Sequence, residues 1–190
     1  MKKVAVFCGS SIGFSEVYKN DAIKLGNYFV ENKIGLVYGG GKIGMMGVLA
    51  DTILEHKGDV IGVIPKLLEK KEVIHPGVEE MIVCEKMSDR KVIMSKLVDA
   101  YITLPGGFGT LDELFEAITL IQTKKIGRFP IVLVGTEFWS GLLEWIKKTL
   151  IAQGNISEED LKLFRIVDSA EEAVAHLNKF YSKYLLKPNF

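Results

Sequence analysis

The chain has 190 residues, 48% hydrophobic and 25% charged, with 24 Lys+Arg balanced by 24 Asp+Glu. That length fits one domain of about 100–200 residues with a core large enough to need no disulfide or metal staple. The zero net charge gives no broad basic face for a phosphate backbone, so no nucleic-acid partner is expected.

Met1-Lys2-Lys3 leads into an apolar run that stops at Cys8 and Gly9. A secretory core segment needs roughly 7–15 apolar residues, so residues 4–7 read as a first strand. Further short runs follow at 34–38, 60–64, 81–84, 100–104, 131–134 and 164–167. Most are apolar throughout rather than alternating, the pattern of strands covered on both faces. Amphipathic stretches at 16–32, 45–56, 89–96, 110–122, 139–153 and 170–184 read as helices, with a short one at 157–163. Strand–helix alternation with short connections predicts parallel βαβ units: an α/β, doubly wound, mainly parallel open sheet of about seven strands. A closed eight-fold barrel would need about 250 residues. The whole of 1–190 reads as one domain.

Residues 66–77 form the longest irregular stretch, carrying Glu69, Lys70, Lys71 and Glu72, and loops of this kind are often functional. The tail after Leu186 is expected to fray. No stretch approaches a membrane span, so a cytoplasmic protein without a membrane partner is expected. Cys8 and Cys84 each end an apolar run and read as small buried hydrophobes. His56, His75 and His176 lie far apart without ligand spacing, so no metal site is expected.

In open parallel sheets ligands sit beyond the carboxyl ends of the strands. Three glycine-bearing loops follow predicted strands: Cys8-Gly9-Ser10-Ser11, the segment Gly39-Gly40-Gly41-Lys42-Ile43-Gly44-Met45-Met46-Gly47, and Pro105-Gly106-Gly107-Phe108-Gly109-Thr110. Glycine lets backbone approach a ligand closely, and helix-start N–H groups then face an anion. Gly39, Gly41 and Gly44 fit a dinucleotide fingerprint, but the acid expected about 20 residues on is missing at the end of the next strand. Lys42 is followed by Ile43 where a P-loop needs Ser or Thr, so that reading fails too.

Thr110-x-x-Glu113 has the form of a capping box, with Thr110 as N-cap and Glu113 reaching back. It could equally hold phosphate on Thr110 and the glycine amides while Glu113 addresses a sugar; spacing alone leaves the two level. Glu116 continues an acidic, solvated face. Ser88-Asp89-Arg90-Lys91 opens a helix with two cations in a first turn that favours anions. Either both side chains extend into solvent or a ligand anion offsets them, for which arginine is suited.

Taken together these motifs resemble those of the Lonely Guy (LOG) phosphoribohydrolases. The marker P-G-G-x-G-T-x-x-E is matched by Pro105 through Glu113, G-G-G-x-x-G-x-M-G by Gly39 through Gly47, and the Arg-Lys pair by Arg90-Lys91. The resemblance implies a Rossmann-like, homodimeric enzyme without a cofactor. It would hydrolyse cytokinin riboside 5'-monophosphates, and often AMP, to free base and ribose 5-phosphate. Arg90 and Glu113 would be the catalytic pair. Gly107, Gly109 and Thr110 would hold phosphate, with Gly40 and Gly41 lining the site. Glu72 matches a substrate-contacting Glu and Thr119 a lining residue, while Gly9, Ser10, Lys91, Gly106 and Asp112 complete the candidate substrate contacts. Glycosidic cleavage builds positive charge on the ribose, which a carboxylate such as Glu113 would stabilise. Arg90 would hold phosphate or assist the departing base. A non-catalytic nucleotide or molybdenum-cofactor carrier on the same fold is the alternative. Relatives bear an old lysine decarboxylase label, yet no particular lysine argues for a pyridoxal cofactor.

Overall fold

A computed structural model describes residues 2–69 and 74–183. Glu72 and the tail after Leu186 lie outside the described residues. Among the described residues, strands β1 (Lys3–Phe7), β2 (Gly35–Tyr38), β3 (Val60–Pro65), β4 (Glu80–Cys84), β5 (Ala100–Thr103), β6 (Ile131–Val134) and β7 (Arg165–Val167) form one sheet. Its order is β4-β3-β2-β1-β5-β6-β7, and every pairing is parallel. The helices are α1 (Glu16–Glu31), α2 (Gly44–Glu55), α3 (Lys66–Glu69), α4 (Met87–Leu97), α5 (Phe108–Gln122), α6 (Thr136–Trp145) and α7 (Ala170–Lys183).

The continuous apolar strands have the expected cause: successive side chains enter two different cores. Val4 and Val6 of β1 join Leu25 and Phe29 of α1, Leu49 and Ile53 of α2, and Leu177 of α7 on one face. Ala5 and Phe7 join Met94 of α4, Leu114 and Ile121 of α5, and Trp139 of α6 on the other. Because a strand's side chains alternate, both sets must be apolar when both faces are covered. The buried Trp139 also satisfies its one polar atom, since Nε1 donates to the Val134 carbonyl at 3.0 Å.

Several boundaries differ from the sequence reading. α4 and α5 begin two residues earlier than predicted, at Met87 and Phe108. The helix predicted over 139–153 starts at Thr136 and, after Trp145, widens into a π-helical stretch at Ile146–Ile151. Residues Glu158–Leu163 form a 3-10 helix, closed by a capping box between Ser157 and Asp160. Among the described residues no helix is long and apolar enough to cross a membrane.

The chain winds outward from β1 to β4, then returns to place β5 against the other side of β1. The connections leaving β1 and β5 therefore diverge, and a crevice opens at their carboxyl ends. Phe29 shows how strongly α1 is fixed to this frame, being fully buried beneath it. Phe29→Ala should lower unfolding stability by about 3–5 kcal/mol, the range for emptying a buried aromatic site. Urea titration checks this; a loss below about 1 kcal/mol would mean that α1 does not pack as described.

Candidate active site

The three glycine loops meet at the β1–β5 crevice. The Gly9 N–H donates to the Pro105 carbonyl at 3.1 Å, and the Gly9 carbonyl accepts from the Met45 N–H at 3.1 Å. One residue thus ties the ends of β1 and β5 to the start of α2. Behind it, the His75 N–H donates to the Gly40 carbonyl at 2.9 Å, and Gly41 bridges Ile74. The His75 ring anchors this layer: Nδ1 accepts from the Gly77 N–H at 3.1 Å, so Nε2 carries the hydrogen and donates to Asp51 at 2.9 Å. Two of the glycines are required by geometry. Gly44 turns at φ +65°, where a Cβ would run into the Ser10 backbone, and a Cβ on Gly39 would fall on the Arg90 guanidinium.

The resulting cleft has a volume of about 470 Å³. Its polar wall includes Gly9, Ser10, Gly41, Gly107, Gly109 and Thr110, with Arg90 and Glu113 at its base. Ile43, Met46, Leu68 and Met87 supply an apolar side. The first turn of α5 opens onto this space from its N-cap, Gly107, whose backbone is extended. The N–H groups of Phe108, Gly109 and Thr110 lack intrahelical acceptors, as at any helix start, and form a ready anion site.

Here the capping-box reading is corrected. Because α5 begins at Phe108, Thr110 sits in its first turn rather than at the cap, and no side chain caps the helix. Glu113 instead faces α4: its Oε1 lies 3.1 Å from Nη2 of Arg90. The solvent reading of Arg90 is likewise corrected, for Arg90 and Glu113 are only 9% and 8% exposed. Nε of Arg90 donates to the Val63 carbonyl at 3.0 Å, which sets the guanidinium plane. The Arg90–Glu113 contact is one of charge, since the N–H is not aligned on Oε1 and that oxygen accepts no hydrogen bond. The carboxylate therefore keeps acceptor capacity for a ligand hydroxyl or water. Burial pushes the Glu113 carboxyl above its ordinary range, and Arg90 opposes this.

Other predicted contacts fall elsewhere. Lys91 points away from the cleft and joins α4 to α5, pairing with Asp112 at 3.0 Å and with Glu116. Glu116 is thus an ion-pair partner rather than a free solvated acid, and Lys91 and Asp112 are not brought to the cleft. Thr119 is exposed further along α5, its hydroxyl donating to the Phe115 carbonyl at 2.7 Å. Gly40 and Gly106 form the backing of the cleft rather than its lining: Gly40 packs on Ile64 and Met81, Gly106 on Thr110 and Gly9. Cys8, read as a core hydrophobe, is buried and also lines the cleft. The apolar side was missed as well; its one sequence signal was Ile43 and Met46 within the second glycine loop. Among the described residues no group of acids, histidines and cysteines could hold a metal ion.

Comparison with known proteins gives a concordant result. A family model described as "Possible lysine decarboxylase" matches residues 46–177. The chain is 38% identical over 184 residues to cytokinin riboside 5'-monophosphate phosphoribohydrolase LOG7 of Arabidopsis thaliana, covering 96% of this chain and 84% of that protein. It is 40% identical to the LOG1 protein of the same plant, covering 96% and 85%. Among solved structures, the molybdenum cofactor binding protein of Rippkaea orientalis superposes with a TM-score of 0.71 at 19% identity, covering 94% of this chain and 96% of that one. That likeness shows the fold.

Glu113 should titrate above the ordinary glutamate range, and Arg90→Met should raise its midpoint further by removing the cation that opposes burial. Carboxyl carbon-13 resonances check both, and a midpoint at or below the ordinary range would overturn the burial argument. The folded midpoint exceeds the unfolded one. The group's stabilising contribution is therefore full below the unfolded value and is lost as pH rises through the folded value. Glu113→Gln, which mimics the protonated acid, should accordingly fold as well as the parent at neutral pH.

Proposed function

The chain belongs to the LOG family, and from that premise we propose that it is an N-ribohydrolase acting on N6-substituted adenosine 5'-monophosphates and on AMP, releasing free base and ribose 5-phosphate. The observation that carries this reading is the buried Arg90–Glu113 pair beside the open first turn of α5. The phosphate would rest on the N–H groups of Gly109 and Thr110, with the Thr110 hydroxyl, Gly107 and the Gly9-Ser10 loop around it. This anchors the ribose over Glu113 and leaves the apolar side, with Ile43, Met46 and Met87, for the base.

In the reaction the C1'–N9 bond breaks with its electron pair leaving on the base, and positive charge develops on the ribose ring. Glu113, ionised and little hydrated, stabilises that charge and orients a water whose oxygen bonds to C1'. The water gives up a proton to Glu113 as its oxygen bonds to C1', and the base takes up one proton as it leaves, so the hydrogen balances over the turnover. Arg90 opposes the cost of burying the Glu113 charge and fixes the carboxylate's position. Phosphate contacts remote from the breaking bond hold the sugar in a reactive pose. The same proposal includes a homodimer in the cytoplasm. Supporting a homodimer, Val92 of α4 and Phe108 of α5 are exposed apolar residues. Glu72, Lys91, Asp112 and Thr119 remain candidate contacts through the family resemblance alone. Likeness to molybdenum-cofactor carriers, at 19% identity, is a matter of fold.

Glu113→Gln should lower kcat by about 100- to 1000-fold while leaving substrate binding nearly intact. In the parent enzyme the acid limb of the kcat profile should lie above the ordinary glutamate range, because Glu113 must be ionised. Chromatography of released base across pH measures both, and wild-type turnover by the variant would remove Glu113 from the chemistry. A second expectation concerns the phosphate: AMP should be cleaved with a kcat/KM at least about 100-fold above adenosine, since the anion contacts also serve the transition state. Equal values for the two would exclude the helix start as a phosphate site.

A further inference from the structure

We propose that the protein carries a second ligand site, at the amino-terminal edge of the sheet, for a small molecule bearing clustered phosphates such as a di- or triphosphate. A cavity of about 500 Å³ opens there, at the opposite ends of the strands from the cleft described above. Its walls come from the approach to β6, the 3-10 helix with the start of β7, and the second half of α7. Each contributes a cation: Arg128 from the first, Lys162 and Arg165 from the second, Lys179 from the third. Among the described lining residues there is no acid.

Two of these cations are already engaged. Lys162 pairs with Glu159 of its own helix, and Arg128 donates weakly to the Lys162 carbonyl at 3.4 Å. Arg165 and Lys179 make no ion pair among the described residues. His176 lies half-buried with them, and burial, then Arg165 and Lys179, hold its imidazole below the usual range. It is therefore neutral near pH 7, and Arg165 and Lys179 stand beside it without an ion-pair partner among the described residues. Assembling like charges around a concave wall opposes folding, and a bound polyanion reverses the sign of that contribution. Cations converging from separate elements suit several linked phosphates better than one, and arginine suits phosphate geometrically. Phe164 and Phe180, both half-buried, add aromatic surface for a base. This inference is independent of the reaction assigned to the other cleft.

Calorimetric titration of the full chain with inorganic tripolyphosphate, and in parallel with ATP, tests it. Binding should occur with a Kd below about 1 mM at low salt and weaken steeply as salt is added. Arg165→Ala combined with Lys179→Ala changes two exposed side chains, and should lower that affinity by about tenfold or more. His176 provides a local readout: saturation with tripolyphosphate should raise its imidazole midpoint, because the anion offsets Arg165 and Lys179. Tighter binding of ATP would assign a nucleotide, and equal binding a ligand recognised by phosphate alone. Absence of binding, an unchanged affinity in the double variant, or an unmoved His176 midpoint would overturn the proposal, as would preference for a single-stranded oligonucleotide over tripolyphosphate.

Discussion

Burying a carboxylate and a guanidinium together is costly, and the Arg90–Glu113 pair is the feature around which the cleft is arranged. Each ion loses hydration that a single contact at 3.1 Å does not fully restore. The pair persists because surrounding backbone holds it: the Val63 carbonyl fixes Arg90, Gly39 leaves room for the guanidinium, and α5 delivers Glu113 from the third strand-end loop. Desolvation outweighs the arginine's attraction, so the Glu113 carboxyl is held above its ordinary range. A carboxylate so placed is weakly hydrated and preorganised, the condition under which its charge acts most strongly on a developing cation.

This pair depends on the topology of the sheet. Arg90 comes from the helix after β4, at one edge of the sheet, and Glu113 from the helix after β5, beyond the centre. Only the reversal of winding between β1 and β5 brings those two helices side by side on one face. Lys91, with Asp112 and Glu116, then ties the same two helices together just outside the cleft. Neighbouring residues in one motif thus divide their work, Arg90 facing the ligand space and its successor holding the helices at the right separation. The partly buried Lys91 network should be less sensitive to salt than an exposed pair.

The two ends of the sheet contrast in their electrostatics. At the carboxyl ends, an arginine and a glutamate compensate one another beside helix-start amides that have no intrahelical acceptors. At the amino ends of β6 and β7 four cations gather, and among the described residues only Lys162 has an ion-pair partner. A chain with no net charge can therefore present a strongly basic cavity, because composition sums over a surface that the fold divides.

The sequence determined the fold class and the location of the cleft. Uninterrupted apolar runs separated by amphipathic stretches require parallel strands covered on both faces, and glycine loops after those strands mark the ligand edge. The motif 105–113 likewise identified Glu113 as the residue to examine. The partners of these side chains were decided by the tertiary structure. Thr110 and Glu113 have the local spacing of a capping box, but α5 starts two residues earlier and a distant arginine supplies the stronger partner. Arg90 and Lys91 look alike in sequence, yet one is buried at the cleft and the other pairs outside it, since adjacent residues on a helix point about 100° apart. The basic cavity escaped the sequence reading for the same reason: its cations lie on three separate elements with no common spacing, and only packing β6, β7 and α7 together brings them to one wall.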